Sequence, residues 1–215
     1  MKNILIVGLG RFGKYTAAKL TELGHEVMAI DRREERVNEA LDLVTGARIG
    51  DCRNEDFLRS LDVPGFDVCI VAIAGDFQSS LEITSLLKEL GAKTVVARAS
   101  SDRQEKLLLK IGADDVIYPQ RETAIQTAIR YSSEHVFEYI SLGGDYAILE
   151  VSVPEKWIGK HVGELDIRKK YGLNILAVKQ GDTLDAMIGP QTALPADARL
   201  LVLGDFERLR ACFKF

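Results

Sequence analysis

The chain has 215 residues, of which 47% are hydrophobic and 28% are charged, and its formal net charge is -4 at pH 7. This composition is typical of a globular protein with one ordinary domain and a smaller second one, and it excludes a disordered chain. The charges form no long basic stripe, which argues against nucleic acid as a partner, and the three widely spaced cysteines indicate neither a disulfide framework nor a zinc site.

The chain opens on a strand-like segment. Ile4–Val7 follows the first three residues directly, which leaves no room for a signal-peptide h-region. No apolar run approaches the length of about 18 residues that a membrane span needs. We therefore expect a cytosolic protein.

Up to about residue 118, short β-branched segments alternate with amphipathic ones. Continuous apolar strands separated by helices are typical of a parallel sheet that is covered on both faces. The pattern predicts an α/β fold, a Rossmann-like doubly wound parallel sheet. The predicted strands are Ile4–Val7, Glu26–Ile30, Arg48–Ile49, Val68–Ala74, Lys93–Ala97 and Asp115–Tyr118, and the predicted helices are Lys14–Leu23, Arg33–Leu43, Glu55–Leu61, Phe77–Leu90 and Asp102–Ile111.

A further helix leaves this domain. Helical spacing continues from Arg121 to about Phe137, and no strand of the same sheet follows it. After Gly143-Gly144 the sequence changes to short strands punctuated by glycine and proline, which indicates a small α+β domain. We place the boundary near residue 138, which gives domains 1–137 and 138–215. The strands predicted in the second domain are Ala147–Val153, Asn174–Lys179 and Arg199–Leu203.

A glycine-rich motif between the first strand and the first helix predicts a nucleotide site. Gly8, Gly10 and Gly13 fit G-x-G-x-x-G, in which the glycines permit a tight turn and let the backbone approach a pyrophosphate at a helix N-terminus. Asp31 ends the second strand, 18 residues after Gly13. A carboxylate there accepts hydrogen bonds from both ribose hydroxyls and repels a 2′-phosphate. The ligand expected is an adenosine nucleotide.

Other charged residues follow the predicted strands. Arg32 and Arg33 have the type and position to hold a 2′-phosphate, which leaves NADP as a minor option, but beside Asp31 we expect them to face water. Asp51 and Asp76 are candidates for ligand contacts by analogy with the fold, and a turn or helix N-cap role is an equal alternative.

Arg11, in the middle of the glycine loop, bears on which nucleotide binds. The pyrophosphate of NAD is already served by backbone N–H groups and the helix dipole, whereas a guanidinium suits additional phosphate charge. The loop therefore favours ATP or ADP, held within one subunit or across a symmetric interface. The alternative is a solvated surface arginine.

An oxidoreductase is the weaker interpretation. Such an enzyme needs a proton donor or acceptor near its substrate, commonly a histidine backed by a carboxylate. His25, His135 and His161 lie in a turn, in the exit helix and in the small domain, and none is placed at the predicted nucleotide site.

The segments "ILIVGLGRFGKYTAAKLTELGHEVMAIDRREERV", "DVCIVAIAGDFQSSLEITSLLKELG" and "IGADDVIYP" together resemble the nucleotide-binding domain of Ktr/Trk-type potassium-uptake regulators, the RCK (regulator of K⁺ conductance) proteins. The segments "IGKHVGELDIRKKYGLNILAVKQGD" and "ALPADARLLVLG" are similar to the small C-terminal domain of the same proteins. The resemblance covers nearly the whole chain.

The resemblance implies a cytosolic dimer that assembles into an octameric ring and docks on a membrane potassium transporter subunit at the inner face of the cell membrane. It implies that ATP and ADP compete at the phosphate loop, and that Arg11 reaches a terminal phosphate across the subunit interface. The exit helix would be the crossover helix of an intertwined dimer. A Trk-like sensor of NAD or NADH is the alternative. The expected nucleotide-binding residues are Gly8, Gly10, Arg11, Phe12, Gly13, Asp31, Arg32, Arg33, Asp51, Cys52, Ala74 and Arg98.

Two features depart from the family pattern. Gln120 stands where many members carry an acidic residue that helps to bind a cation, and Glu122 is a displaced substitute, so we expect no metal there. Arg33 stands where relatives often carry a small polar side chain. In the small domain, Arg168, Asn174 and Ile175 match residues that bind cyclic di-AMP in related members, with a plain dimer interface as the equal alternative.

Overall fold

Six parallel strands form one sheet in the first part of the chain, in the order β3-β2-β1-β4-β5-β6. Helices connect consecutive strands, which confirms the predicted Rossmann-like α/β class. The computed structural model describes residues 1–215. The elements are β1 (Asn3–Val7), α1 (Arg11–Glu22), β2 (Glu26–Asp31), α2 (Glu34–Asn38), β3 (Gly46–Ile49), α3 (Glu55–Arg59), β4 (Val68–Val71), α4 (Phe77–Glu89), β5 (Val95–Arg98), α5 (Asp102–Lys110) and β6 (Asp115–Ile117).

The strand order reverses at β1, which pairs with β2 on one side and with β4 on the other. Val7, the last residue of β1, lies level with Ile30 of β2 and Val71 of β4. The loops that follow these three strands therefore meet at one edge of the sheet. In open α/β sheets this reversal point is where ligands bind.

The central strands are buried on both faces, as their continuous apolar sequence predicts. Leu5 and Val7 of β1 pack into one core that includes Leu87 of α4. Ile6, on the opposite face of the same strand, packs with Ala17 of α1. Because side chains alternate along a strand, β1 contributes to both layers of the unit and fixes the start of the glycine loop.

The second part of the chain is a five-stranded antiparallel sheet with small helices, in the order β10-β9-β11-β8-β7. Its core contains Trp157, Leu149 and Leu200, all of them nearly or completely inaccessible to solvent. The predicted small α+β domain is therefore confirmed. Its elements are α6 (Pro119–Tyr131), β7 (Val136–Ser141), β8 (Tyr146–Ser152), α7 (Val162–Leu165), α8 (Ile167–Tyr171), β9 (Asn174–Gln180), β10 (Thr183–Asp185), β11 (Arg199–Asp205) and α9 (Phe206–Phe213).

The predicted helix from Arg121 to Phe137 was wrong at its C-terminal end. Helix α6 ends at Tyr131, where the hydroxyl of Ser132 donates a hydrogen bond to the carbonyl of Ile129. The following apolar residues form β7, which pairs antiparallel with β8. The chain divides into the units Met1–Gln120 and Arg121–Phe215, so most of α6 groups with the second unit, and Ile129 packs against that core.

The predicted helix Arg33–Leu43 is also interrupted. Helix α2 ends at Asn38, and a separate 3₁₀ turn covers Leu41–Leu43. None of the helices combines the length and the hydropathy that a transmembrane span requires.

Candidate functional site

A cleft of about 340 Å³ opens at the edge of the sheet where the strand order reverses. Its size lies in the range of pockets that hold small molecules, about 300–1,000 Å³. The glycine loop after β1, the loops after β2, β3 and β4, and the end of β5 line it. The charged and hydroxyl side chains along the cleft are Asp31, Arg32, Arg33, Arg36, Asp51, Arg53, Asp76, Ser79 and Arg98.

The glycine loop has no room for side chains at two of its three glycines. Gly8 has a φ of +99°, and a Cβ there would lie 3.0 Å from Cγ1 of Ile73. A Cβ on Gly13 would lie 1.9 Å from the carbonyl oxygen of Gly8, so α1 packs directly on the loop. A Cβ on Gly10 would meet no atom within 4 Å. Gly8 and Gly13 are therefore required by packing, whereas Gly10 keeps open space at the cleft.

Helix α1 begins at Arg11, and Gly10, its N-cap residue, provides no side-chain hydrogen bond. The first amide groups of a helix have no intrahelical acceptor, so a ligand or water must satisfy them. The uncapped N-terminus of a 12-residue helix, placed at a cleft, is suited to bind an anionic group.

Asp31 is 6% exposed and links the end of β2 to the glycine loop. Its Oδ2 accepts hydrogen bonds from the backbone N–H of Leu9 at 2.7 Å and from Nη1 of Arg36 at 3.2 Å. Its Oδ1 accepts the backbone N–H of Arg33 at 2.9 Å. Asp31, which the sequence predicts to bind the ribose, is thus held in place by the loop, with an arginine as its direct partner.

Ion pairs join the loops on the other side of the cleft. Nε and Nη2 of Arg53 donate to the carboxylate of Asp51 at 3.0 and 2.6 Å, and this hydrogen bonding lowers the pKa of Asp51. Asp76 accepts the hydroxyl and the backbone N–H of Ser79 at the start of α4, which lowers the pKa of Asp76, and it lies 3.8 Å from Arg32. Both carboxylates are therefore ionised at neutral pH, and Asp76 has the helix-capping role considered above.

Arg98, at the end of β5, has an unsatisfied buried donor. Its Nε is inaccessible to solvent and has no hydrogen-bond partner. Its guanidinium carbon lies 5.1 Å from the ring centre of Phe12, and burial lowers the pKa of Arg98. A buried donor without a partner costs about 1–3 kcal/mol. Arg98 also lines the cleft and contributes a positive charge to it.

Nine of the twelve predicted site residues line the cleft, and three do not. Phe12 packs beneath Arg98, and Gly13 packs against Gly8. Arg11 is exposed, and its guanidinium forms no ion pair within the chain. The nine are Gly8, Gly10, Asp31, Arg32, Arg33, Asp51, Cys52, Ala74 and Arg98.

Two arginines of the cleft were not predicted from the sequence. Arg36 lies on the short helix α2, five residues after its partner Asp31, and Arg53 follows Asp51 by two residues. No motif marks either position. The only sequence signal is an arginine a few residues after a strand-terminal aspartate.

The two buried cysteines of the first unit are expected to react slowly with alkylating reagents. Burial raises the pKa of Cys52 and of Cys69 to about 12. At pH 8 about one such thiol in ten thousand is a thiolate, against roughly a quarter for an ordinary cysteine. Burial also raises the pKa of Cys212, but its side chain is partly accessible, so we expect iodoacetamide at pH 8 to label Cys212 at least about tenfold faster than Cys52 or Cys69. Peptide mass spectrometry over time measures these rates, and urea-unfolded protein, in which all three should react alike, is the control.

A second cavity, of about 260 Å³, lies in the second unit. Arg168, Asn174 and Ile175 all line it, and Nε of Arg168 donates to Oδ1 of Asn174 at 2.8 Å. The structure therefore brings together the three residues singled out in that domain. No group of three or more His, Cys, Asp or Glu side chains is arranged to hold a metal ion.

Residues 4–119 match the family model of the TrkA-N domain, and residues 147–215 match that of the TrkA-C domain. The chain is 41% identical over 180 residues to the Ktr system potassium uptake protein C of Bacillus subtilis (strain 168), covering 84% of this chain and 81% of that protein. It is 36% identical over 203 residues to the Ktr system potassium uptake protein A of the same organism, covering 94% of this chain and 91% of that protein.

Two solved structures of the GsuK channel share this fold. The channel bound to NAD has a TM-score of 0.71 at 20% identity, covering 98% of this chain and 38% of that chain. GsuK bound to ADP has a TM-score of 0.55 at 17% identity, covering 62% of this chain and 35% of that chain. This chain thus spans less than two fifths of each of these two GsuK chains.

Proposed function

The chain belongs to the family of Ktr and Trk potassium-uptake proteins, and from this membership we propose that it is a nucleotide-sensing regulatory subunit that gates a separate membrane potassium transporter. The observation that carries the proposal is that Arg98, which has no carboxylate partner, and Gly10, the uncapped start of α1, line the same cleft. These groups together provide donors for an anionic ligand.

ATP or ADP is the ligand that the charges of the cleft fit best. Five arginines and three aspartates line it. Three of the arginines lie within ion-pair distance of an aspartate, whereas Arg33 and Arg98 have no carboxylate partner. Unpaired guanidinium groups favour a ligand with several phosphate charges.

Arg11 is the residue proposed to distinguish ATP from ADP. It is exposed, directly after Gly10 of the glycine loop, but it does not line the cleft of its own chain. We propose that it reaches the terminal phosphate in the site of a second subunit. Only a ligand that interacts differently with two conformations can shift the equilibrium between them, and a phosphate contact made by one nucleotide and not the other provides that difference.

The proposed assembly is a homodimer built through α6 that forms an octameric ring on the inner face of the membrane, bound to the transporter subunit. Ile125 and Tyr131 of α6 are 46% and 77% exposed. Large apolar side chains left exposed on one helix support a protein partner for it.

Two other ligands are part of the proposal as alternatives. A sensor of NAD or NADH is supported by Asp31, since a ribose-binding carboxylate at this position is typical of NAD sites. Cyclic di-AMP is proposed for the second unit because Arg168, Asn174 and Ile175 line one cavity there, with a dimer interface as the other use of these residues. An oxidoreductase has less support, because no histidine lines the cleft.

Calorimetric titration of the purified chain with ATP, ADP, NAD and NADH tests the function. We expect ATP and ADP to bind more tightly than NAD or NADH. We expect Arg11→Ala to weaken the binding of ATP about tenfold more than the binding of ADP. This difference corresponds to the loss of one charge-assisted contact. Titration at several protein concentrations shows whether the effect requires the dimer.

Arg59→Ala is the matched control, since Arg59 pairs with Glu55 on α3 and does not line the cleft. It should leave all four affinities unchanged. Tightest binding of NADH, together with no effect of Arg11→Ala, would contradict ATP and ADP sensing and support the redox sensor.

A further inference from the structure

The carboxylate of Asp31 is nearly saturated by the protein itself. An ionised carboxylate offers about four acceptor positions, two on each oxygen. Oδ2 of Asp31 accepts from Leu9 and Arg36, and Oδ1 accepts from Arg33. One position on Oδ1 remains, so Asp31 has room for one ribose hydroxyl as long as Arg36 stays in place.

Asp31 also differs from a ribose-binding carboxylate without a cationic neighbour, because an arginine lies beside it. Such an acid excludes a 2′-phosphate because the two negative charges repel each other. Here the guanidinium of Arg36 pairs with the carboxylate at 3.2 Å; the side chain of Asp31 is 5% exposed and that of Arg36 is 38% exposed, so water screens the pair on the side of Arg36. The negative charge that would repel a phosphate is therefore partly compensated.

A second guanidinium at this end of the cleft has no partner. Arg33 lines the cleft, and its backbone N–H is fixed on Oδ1 of Asp31, the oxygen with the remaining acceptor position. No carboxylate lies within ion-pair distance of its guanidinium. Asp31, Arg33 and Arg36 together thus carry one negative and two positive charges. An arginine beside this acid is the group that accommodates a 2′-phosphate in dinucleotide sites.

We propose that Arg33 and Arg36 make this cleft accept adenosine nucleotides that carry a phosphate on the ribose 2′-oxygen, in addition to those with a free hydroxyl there. Asp31 binds one hydroxyl through its remaining position on Oδ1. Arg36 partly compensates its charge, and Arg33 binds the 2′-phosphate. The inference rests on the proposed nucleotide site and names a further class of ligand for it. It differs from the expectation, drawn from the sequence, that Asp31 repels a 2′-phosphate.

The test compares ligands that differ only on the ribose. The full chain is titrated calorimetrically with 5′-AMP, adenosine 2′,5′-bisphosphate and adenosine 3′,5′-bisphosphate, and with ATP as the measure of site competence. We expect the wild-type chain to bind adenosine 2′,5′-bisphosphate at least as tightly as 5′-AMP and at least fivefold more tightly than the 3′,5′ isomer. The ratio of the Kd of adenosine 2′,5′-bisphosphate to that of 5′-AMP should rise at least tenfold in Arg33→Ala and in Arg36→Ala.

Arg59→Ala should keep the wild-type ratio, and circular dichroism shows whether each variant is folded. Binding of ATP with tenfold weaker binding of adenosine 2′,5′-bisphosphate than of 5′-AMP would overturn this inference alone. Equal binding of the two bisphosphates, or unchanged ratios in both arginine variants, would also overturn it. A chain that binds none of these ligands and no ADP, NAD or NADH would overturn the proposed function as well.

Discussion

Replacing Gly13 with alanine is expected to lower the free energy of unfolding of the first unit by about 2 kcal/mol and to reduce nucleotide affinity at least a hundredfold. The new Cβ would lie 1.9 Å from the carbonyl oxygen of Gly8 and 3.1 Å from Cβ of Ala72, so the backbone of the loop has to move. Overpacking costs up to about 3 kcal/mol, and the better helix propensity of alanine returns less than about 1 kcal/mol. A misplacement of about 1 Å in a preorganised site can lower a reaction rate on the order of a hundredfold, and we expect a loss of nucleotide affinity of the same order.

Urea unfolding followed by circular dichroism measures the first effect, and titration with ADP measures the second. Trp157 is the only tryptophan and lies in the core of the second unit. The unfolding transition that its fluorescence reports should therefore have the same urea midpoint in Gly13→Ala as in the wild-type chain. Gly10→Ala is the matched variant. At a φ of -64°, its Cβ meets no protein atom within 4 Å. The variant should therefore weaken the binding of ADP and leave the free energy of unfolding within about 0.5 kcal/mol of the wild-type value. Wild-type stability and affinity in Gly13→Ala would contradict the close packing of α1 on the loop.

The sequence was sufficient to predict the first sheet because its strands are buried on both faces. Leu5 and Ile6, for example, are adjacent in the chain and both fully buried. A strand that is buried on both faces therefore has a continuous apolar sequence, which distinguishes it from a strand with one exposed face. Strand β10 could not be predicted in the same way. Its three residues, Thr183–Asp185, are all exposed, so backbone pairing with β9 holds it and no apolar pattern marks it.

The same difference applies to the site. Gly8, Gly10, Gly13 and Asp31 have local roles that follow from their distances along the chain to a strand end or a helix start. Arg36 has a role only because α2 turns back toward β2 and brings its guanidinium to Asp31. Spacing along the chain does not encode that contact. The resemblance to Ktr and Trk regulators, in contrast, was confirmed by both domain matches, since it depended on motifs along the whole chain.

Replacing Asp31 with alanine is expected to reduce the affinity for ATP, ADP and NAD about a hundredfold each, and by similar factors. The change removes the proposed acceptor for a ribose hydroxyl, and it also removes the acceptor of the Leu9 N–H and the partner of Arg36. Leaving a buried donor unsatisfied costs about 1–3 kcal/mol, and a hundredfold loss corresponds to about 2.7 kcal/mol. Because every one of these ligands contains the adenosine ribose, the loss should not depend on the number of phosphates.

That independence separates the role of Asp31 from the role of Arg11, whose replacement should affect ATP more than ADP. Calorimetry with ADP and 2′,3′-dideoxy-ADP tests the ribose contact directly: the wild-type chain should prefer ADP, and Asp31→Ala should bind both equally weakly. Asp42→Ala is the control, since Asp42 is an exposed carboxylate that does not line the cleft. If Asp31→Ala kept the preference for ADP, the ribose would lie elsewhere, and Asp31 would serve only to hold the glycine loop through Leu9. In that case the proposal for Arg33 and Arg36 would lose its anchor, because both act through the position of this carboxylate.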